Sequence, residues 1–223
     1  MNTISLISTT HKEKGLANSK NLCSILQYIK PELVFIELPH NQHADYFTNF
    51  TLRTVESDAL NIFRKHNQVK IILVDSVVSD ASIFKEVNFL FDNIHRNSKH
   101  LDSISEYIYQ FTCQYGFPYL NSNKHNEHLT AQKEEEHKVV QRLNDSKLIA
   151  LYEKWNNIHA QREIEMLNNI QECSAKHSFI NVVFLVGSAH SHSIIKRAKD
   201  TNLQPKIEMF NFRKEVNALY KNA

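Results

Sequence analysis

Cysteine, glycine and long apolar runs are all scarce in this sequence, and each shortage removes a class of protein. Cys23, Cys113 and Cys173 make an odd set with no Cys-x-x-Cys pair. That does not fit the disulfide framework of a small secreted domain, and a reducing interior fits better. No apolar stretch approaches the ~18 residues a spanning helix needs. The first strand pattern begins almost at once, with no basic start or signal-like apolar core. A cytoplasmic, soluble chain is the expectation. An excess of charge is missing too: 26 Lys and Arg against 24 Asp and Glu give a formal net charge of +2. The two signs are interspersed, whereas a nucleic-acid surface usually shows a basic stripe. Neither nucleic acid nor membrane is therefore expected as a partner. With only three glycines in 223 residues, each is expected to serve the backbone. Gly187 suits a positive φ or the close approach of a ligand, Gly15 lies near a helix start, and Gly116 before Phe117-Pro118 reads as a turn between helices.

What is present reads as one domain spanning 1–223. Hydrophobic residues make up 42% and charged residues 22%, ordinary for a folded soluble protein. The first 76 residues read as β-α-β-α-β. A strand ending at Thr9 leads into a helix over roughly 16–30, whose Leu16, Leu22, Ile25, Leu26 and Ile29 recur at helical spacing. Strand 33–38 follows, then helix through much of 42–66, then strand 69–75. Near-continuous apolar strands alternating with helices predict an α/β fold, a mainly parallel sheet flanked by helices. Between the third and fourth strands, about 80–178, the pattern is helical only and reads as an insertion covering a crevice. Its stretch from Lys124 to Lys147, with Lys133-Glu134-Glu135-Glu136-His137-Lys138, reads as a solvated helix face. A strand before His190, a helix over 191–201 and a last strand over 206–212 complete the pattern.

The candidate site lies at strand ends. The run Ile4–Thr9 passes through Thr10 to His11, and Val182–Val186 passes through Gly187-Ser188-Ala189 to His190. Leu33–Leu38 carries Glu37 at the end of a buried-strand pattern. In an open α/β sheet the carboxyl ends of parallel strands converge on one crevice. Two imidazoles and one carboxylate form a ligand set for a divalent cation with open positions, which would acidify bound water. Without metal, one histidine serves as general base oriented by Glu37. Glu37 also admits a plainer reading, an ion pair with a lysine or Arg162. Asp75 is a reserve ligand, or a cap. Arg162 suits an oxyanion or a substrate carboxylate, or a surface ion pair. His192 points away from His190 on regular helix, His40 and His43 suit the crevice rim, and His125, His128 and His137 suit solvated surface.

At Ser8-Thr9-Thr10-His11, Lys30-Pro31-Glu32-Leu33-Val34-Phe35-Ile36-Glu37-Leu38, Gln161-Arg162-Glu163 with Met166, and Gly187-Ser188-Ala189-His190, the chain resembles the TraB/PrgY/GumN group. That group belongs to a wider superfamily with Tiki proteases, erythromycin esterases and ChaN-like proteins. Ser8 stands where the group usually has glycine. The resemblance implies an α/β fold with a helical insertion. It makes His11, Glu37 and His190 central, with Arg162 and Glu163 in support. For Tiki-like members it implies metal-dependent peptide hydrolysis with manganese or cobalt, zinc being a further ion for such ligands. For esterase-like members it implies histidine-assisted hydrolysis, and for ChaN-like members haem binding. The leading expectation is a metal-dependent hydrolase of a peptide or a small ester or amide. The alternatives are a metal-free esterase with a histidine base and a non-catalytic peptide- or haem-binding protein. The oligomeric state is left open.

Overall fold

The computed structural model describes residues 3–76, 82–176 and 178–212. The sequence reading placed residues 77–81 and His177 within or beside the helical insertion; they lie outside the described residues. Five strands, β1 (Thr3–Thr9), β2 (Leu33–Pro39), β3 (Lys70–Asp75), β4 (Val182–Gly187) and β5 (Lys206–Met209), form one sheet in the order β3-β2-β4-β1-β5. Every pairing is parallel, as the α/β reading requires. The chain runs outward from β1 through β2 to β3, and β4 then returns to fill the gap between β2 and β1. The carboxyl ends of β1, β2 and β4 are thereby neighbours, with β4 in the middle.

Period-two alternation in the strands feeds two cores. One face packs Ile7, Val34, Ile36 and Leu185 against α1 (Ser19–Ile29), α3 (Val55–Phe63) and the end of α5 (Lys99–Leu120). The other packs Ile4, Phe35, Phe184 and Val186 against α7 (Ser146–Lys176) and α8 (Ser188–Asp200). Fully burying an aliphatic or aromatic side chain contributes about 1.5–3 kcal/mol, so these paired cores are the main stabilising term. Glu37 shares the parity of Leu33 and Phe35, which both belong to the second core. The strand pleat therefore aims its carboxylate toward α7 and α8.

Several boundaries differ from the sequence reading for identifiable reasons. The first helix begins at Ser19 because Asn18 caps it, its side chain accepting from the Asn21 N–H at 2.9 Å. The stretch 42–66 divides into α2 (His43–Phe47) and α3, which starts on a capping box between Thr54 and Ser57. The last strand ends at Met209 rather than at Phe212.

The insertion consists of α4 (Ile83–Arg96), α5, α6 (Asn123–Leu143) and α7, with its own small core of Leu90, Ile94, Leu101, Val139, Val140 and Tyr152. Gly116 does not end a helix but kinks α5, at φ 58° and ψ −139°. A side chain there would meet Leu16 backbone oxygen at 2.8 Å. His125 and Glu136 are buried on α6, so that charged helix is not solvated all round. Among the described residues no helix is long and apolar enough to cross a membrane.

Candidate active site

The site gathers where β1, β2 and β4 end. Gly187 closes β4, opposite Thr9 of β1. Its backbone is ordinary, with φ −55°, so the expected positive φ is absent. Close approach is what excludes a side chain: a Cβ there would lie 3.1 Å from Glu37 Oε2 and 3.4 Å from His11 Nε2. Gly187 N–H donates to Glu37 Oε2 at 2.7 Å. The carboxylate of β2 and the imidazole that follows β1 thus meet over the end of β4.

His11 does not begin a helix; it lies in the loop before α1. The loop is fastened to α3, whose Val55 N–H donates to the His11 carbonyl at 3.1 Å. That places Glu56, in the first turn of α3, beside the ring: His11 Nδ1 is 3.1 Å from Glu56 Oε1. Thr9 Oγ1 donates to the same oxygen at 2.5 Å. An ionised carboxylate only accepts, so His11 Nδ1 carries the hydrogen. The hydrogen bond to Glu56 raises the His11 pKa to about 9, against the opposing effect of burial. Burial pushes Glu56 up, but its hydrogen bonds to His11 and Thr9 prevail and its pKa is lowered overall. Glu37 was expected to orient one of the histidines; for His11 that partner is Glu56. The His11 side chain is 51% exposed, and its Nε2 faces the crevice.

His190 sits in the first turn of α8. Its Nδ1 is 2.9 Å from Glu163 Oε1, and Arg197 Nε donates to Glu163 Oε2 at 2.9 Å. Burial raises Glu163, yet these bonds and one from Ser193 bring it below its ordinary value. Glu163 is therefore ionised and fixes the His190 hydrogen on Nδ1. His190 Nε2 lies 3.1 Å from His159 Nδ1 and 3.4 Å from Glu37 Oε1. Burial, followed by the charge of His190, pushes His159 down to about 3. Which of the two rings donates in the His159–His190 bond depends on the tautomer. A proton on His190 Nε2 would face both His159 Nδ1 and Glu37 Oε1.

Arg162 spans the remaining carboxylates. Its Nη2 donates to Glu37 Oε1 at 2.8 Å and to Asp75 Oδ2 at 2.6 Å, and its Nε donates to Asp75 Oδ1 at 3.1 Å. Burial lowers the Arg162 pKa, but Asp75 and Glu37 raise it further. Among the described residues Nη1 has no hydrogen-bond partner, so donors remain for a ligand. The ion pair weighed for Glu37 exists, and Asp75 proves to be the bidentate partner of Arg162.

His11, Glu37, His190, Arg162 and Glu163 are therefore brought together, and Asp75 with them. The structure adds Glu56 and His159. Glu56 carried no strand-end signal, and His159 lay one helical turn before Glu163 without being singled out. His40 and His43 are exposed on the 3-10 turn after β2 and on α2, with no bond to these residues. His192 is exposed. His128 is half-buried, 2.9 Å from the Tyr119 hydroxyl, and His137 is exposed beside Tyr152. His125, expected at the surface, is buried against Tyr119 and is pushed down to about 4 by that burial.

A cation held by His11, Glu37 and His190 would need three converging free donor atoms. Glu37 Oε1 is held by Arg162 and Oε2 by Gly187. The His190 nitrogens face Glu163 and His159. Only His11 Nε2 is uncommitted, and the Arg162 guanidinium already lies between Glu37 and Asp75, where a cation would bind. Among the described residues no group of three or more His, Cys, Asp or Glu is placed to hold a metal ion. The three residues meet, but with all their donor atoms except His11 Nε2 engaged in hydrogen bonds they do not fit a three-ligand cation site. For haem the same crevice offers only His11 Nε2 as an axial ligand. No family model matches this sequence, and comparison with curated proteins and with solved structures gives no match.

Proposed function

We propose that the crevice hydrolyses a small ester or amide by histidine-based acid–base chemistry without a metal. One observation carries the reading: His11, oriented through Nδ1 by buried Glu56, presents an uncommitted Nε2 over Gly187, beside the Glu37–Arg162 pair. An imidazole held in this way by a carboxylate is suited to general base catalysis.

In its base form, His11 Nε2 takes a proton from water as the water oxygen attacks the substrate carbonyl carbon. The carbonyl electron pair moves to oxygen, and the free N–H groups of Arg162 face that developing charge. A preorganised donor in such a place is worth about 3–4 kcal/mol. When the tetrahedral intermediate collapses, the carbonyl re-forms and the bond to the leaving group breaks. The His11 imidazolium then returns its proton to the leaving oxygen or nitrogen. Glu56 balances the imidazolium charge throughout. Glu37, Asp75, His190 and Glu163 hold Arg162 and the floor of the crevice in place, and are positioning residues in this scheme.

The resemblance to esterase-like members of the TraB/Tiki superfamily agrees with a metal-free histidine base. The metal-dependent peptidase reading needs Arg162 to leave Glu37 before an ion can enter. We further propose that the protein works in the cytoplasm, in keeping with its unpaired cysteines. The test is hydrolysis of p-nitrophenyl acetate and butyrate by the untagged protein, alongside His11→Gln. The reading expects turnover that His11→Gln lowers about 10²- to 10⁴-fold. Equal rates in the two proteins would overturn it.

A further inference from the structure

His159, whose Nδ1 meets His190, also lines a half-open cavity of about 290 Å³ between α4, α6, α7 and α8. That volume is at the small end of ordinary ligand sites, about 300–1,000 Å³, and suits a single ring with a short substituent. The apolar part of the wall comes from Phe91, Leu129 and Trp155. Trp155 forms T-shaped pairs with His159, ring centroids 4.3 Å apart, and with Phe84 at 6.1 Å, so the indole is held in place in the cavity wall.

The charges in the wall are unevenly satisfied. Glu163 is spent on His190 and Arg197. Glu136 is buried and accepts from Gln132 at 3.2 Å. Arg197 is held by Glu163. Lys133 is exposed at the mouth and has no carboxylate within 4.0 Å among the described residues. The lining therefore offers one cation without an ion-pair partner within 4.0 Å among the described residues, at the rim of an aromatic slot; its charge acts on buried Glu136 of the same helix, whose carboxyl burial pushes up.

We infer that this cavity is a binding site for a small aromatic carboxylate, its ring against Trp155 and Leu129 and its acid group at Lys133. The inference stands apart from the hydrolytic reading, since it concerns occupancy and not turnover. It places a second ligand one imidazole away from His190, on the insertion rather than at the strand ends.

Trp155 is the only tryptophan in the chain, so its emission reports on the cavity directly. Titration with phenylacetate is expected to change that emission saturably, and its neutral analogue phenylacetamide is expected to bind about fivefold more weakly, the size of one partly exposed charge contact. Lys133→Met should bring the two affinities together. Ala160→Phe, checked for folding by circular dichroism, should abolish both responses by filling the space. No saturable response to either compound, or the same affinity for both in the unaltered protein, would overturn the proposal. So would discrimination that survives in Lys133→Met, a surface variant that should fold whatever becomes of Ala160→Phe.

Discussion

His190 Nδ1 lies 2.9 Å from Glu163 Oε1, and this pair is repeated across the sheet end by His11 and Glu56 at 3.1 Å. Each glutamate comes from a helix rather than a strand, one from α7 and one from α3. Each fixes a hydrogen on Nδ1, so the remaining nitrogen of each ring is directed at the Glu37–Arg162 centre. The two pairs differ in access. His190 is sealed in with a side chain 6% exposed, whereas the His11 side chain is half open. In the hydrolysis proposed above, that difference is the reason for giving the reacting role to His11.

Replacing Glu56 by glutamine should move the His11 titration. The carboxylate is the main reason the His11 pKa stands at about 9, and an imidazole without such a partner titrates near 6.5. The ascending limb of the pH–rate profile, along which His11 loses its proton, should therefore shift toward acid by about two units in Glu56→Gln. Proton NMR of His11 read beside the ester rate checks this. A His11 that still titrates near 9 would show that Glu56 does not set its basicity.

Arg162→Met should cost stability as well as activity. It leaves Glu37 and Asp75, with side chains 3% and 4% exposed, without their common cation. Removing one partner of a buried ion pair typically costs about 3–5 kcal/mol. Urea denaturation at pH 7 measures the loss. A loss under about 1 kcal/mol would mean that water already screens the pair.

Stability should peak close to neutrality. Burial holds His125 at about 4 and His159 at about 3, below the 6.5 that applies when they are exposed. As pH falls from about 6.5 toward 4, the unfolded chain binds protons that the native chain refuses, and stability declines by up to about 1.4 kcal/mol per pH unit for each histidine. His11 acts in the opposite sense. With its pKa raised to about 9, its contribution is complete below about 6.5 and is lost as pH rises through 9. Denaturation between pH 4 and 9.5 checks both limbs, and His125→Leu should flatten the acid one. An acid limb unchanged by that substitution would rule out the buried His125 as its source.

Gly187→Ala should separate activity from folding. With φ at −55° the backbone accepts alanine, but the new Cβ would press on Glu37 Oε2 and His11 Nε2. A displacement of this kind costs up to about 10²-fold in rate. The melting temperature should barely change while ester hydrolysis falls. Full activity in Gly187→Ala would mean that the contact over β4 is not part of the reacting arrangement.

The sheet and the strand-end residues were legible because both depend on local pattern. Apolar runs bounded by helices define parallel strands, and the positions of His11, Glu37 and His190 at strand ends follow from that. Arg162 could be offered from its chemistry but not set apart from a surface ion pair, and Glu163 could be given a role only through a resemblance, because a single face of a 31-residue helix does not announce which turn crosses a sheet end. Glu56 was not legible. Its importance comes from a capping box that begins α3 beside the His11 loop, and nothing in the charge pattern distinguishes it from a surface glutamate. His125 was misplaced because its neighbours are charged, although Tyr119 covers it from the preceding helix. The ligand-set expectation counted donors at strand ends and not the hydrogen bonds already occupying them.

The central claim is that these residues work as a proton network with no ion. Untagged protein, dialysed against a chelator and shown to be free of transition metal by elemental analysis, should hydrolyse p-nitrophenyl acetate at its original rate. Manganese, cobalt or zinc should not increase that rate. Activity that disappears on chelation and returns with one of these ions would contradict the account.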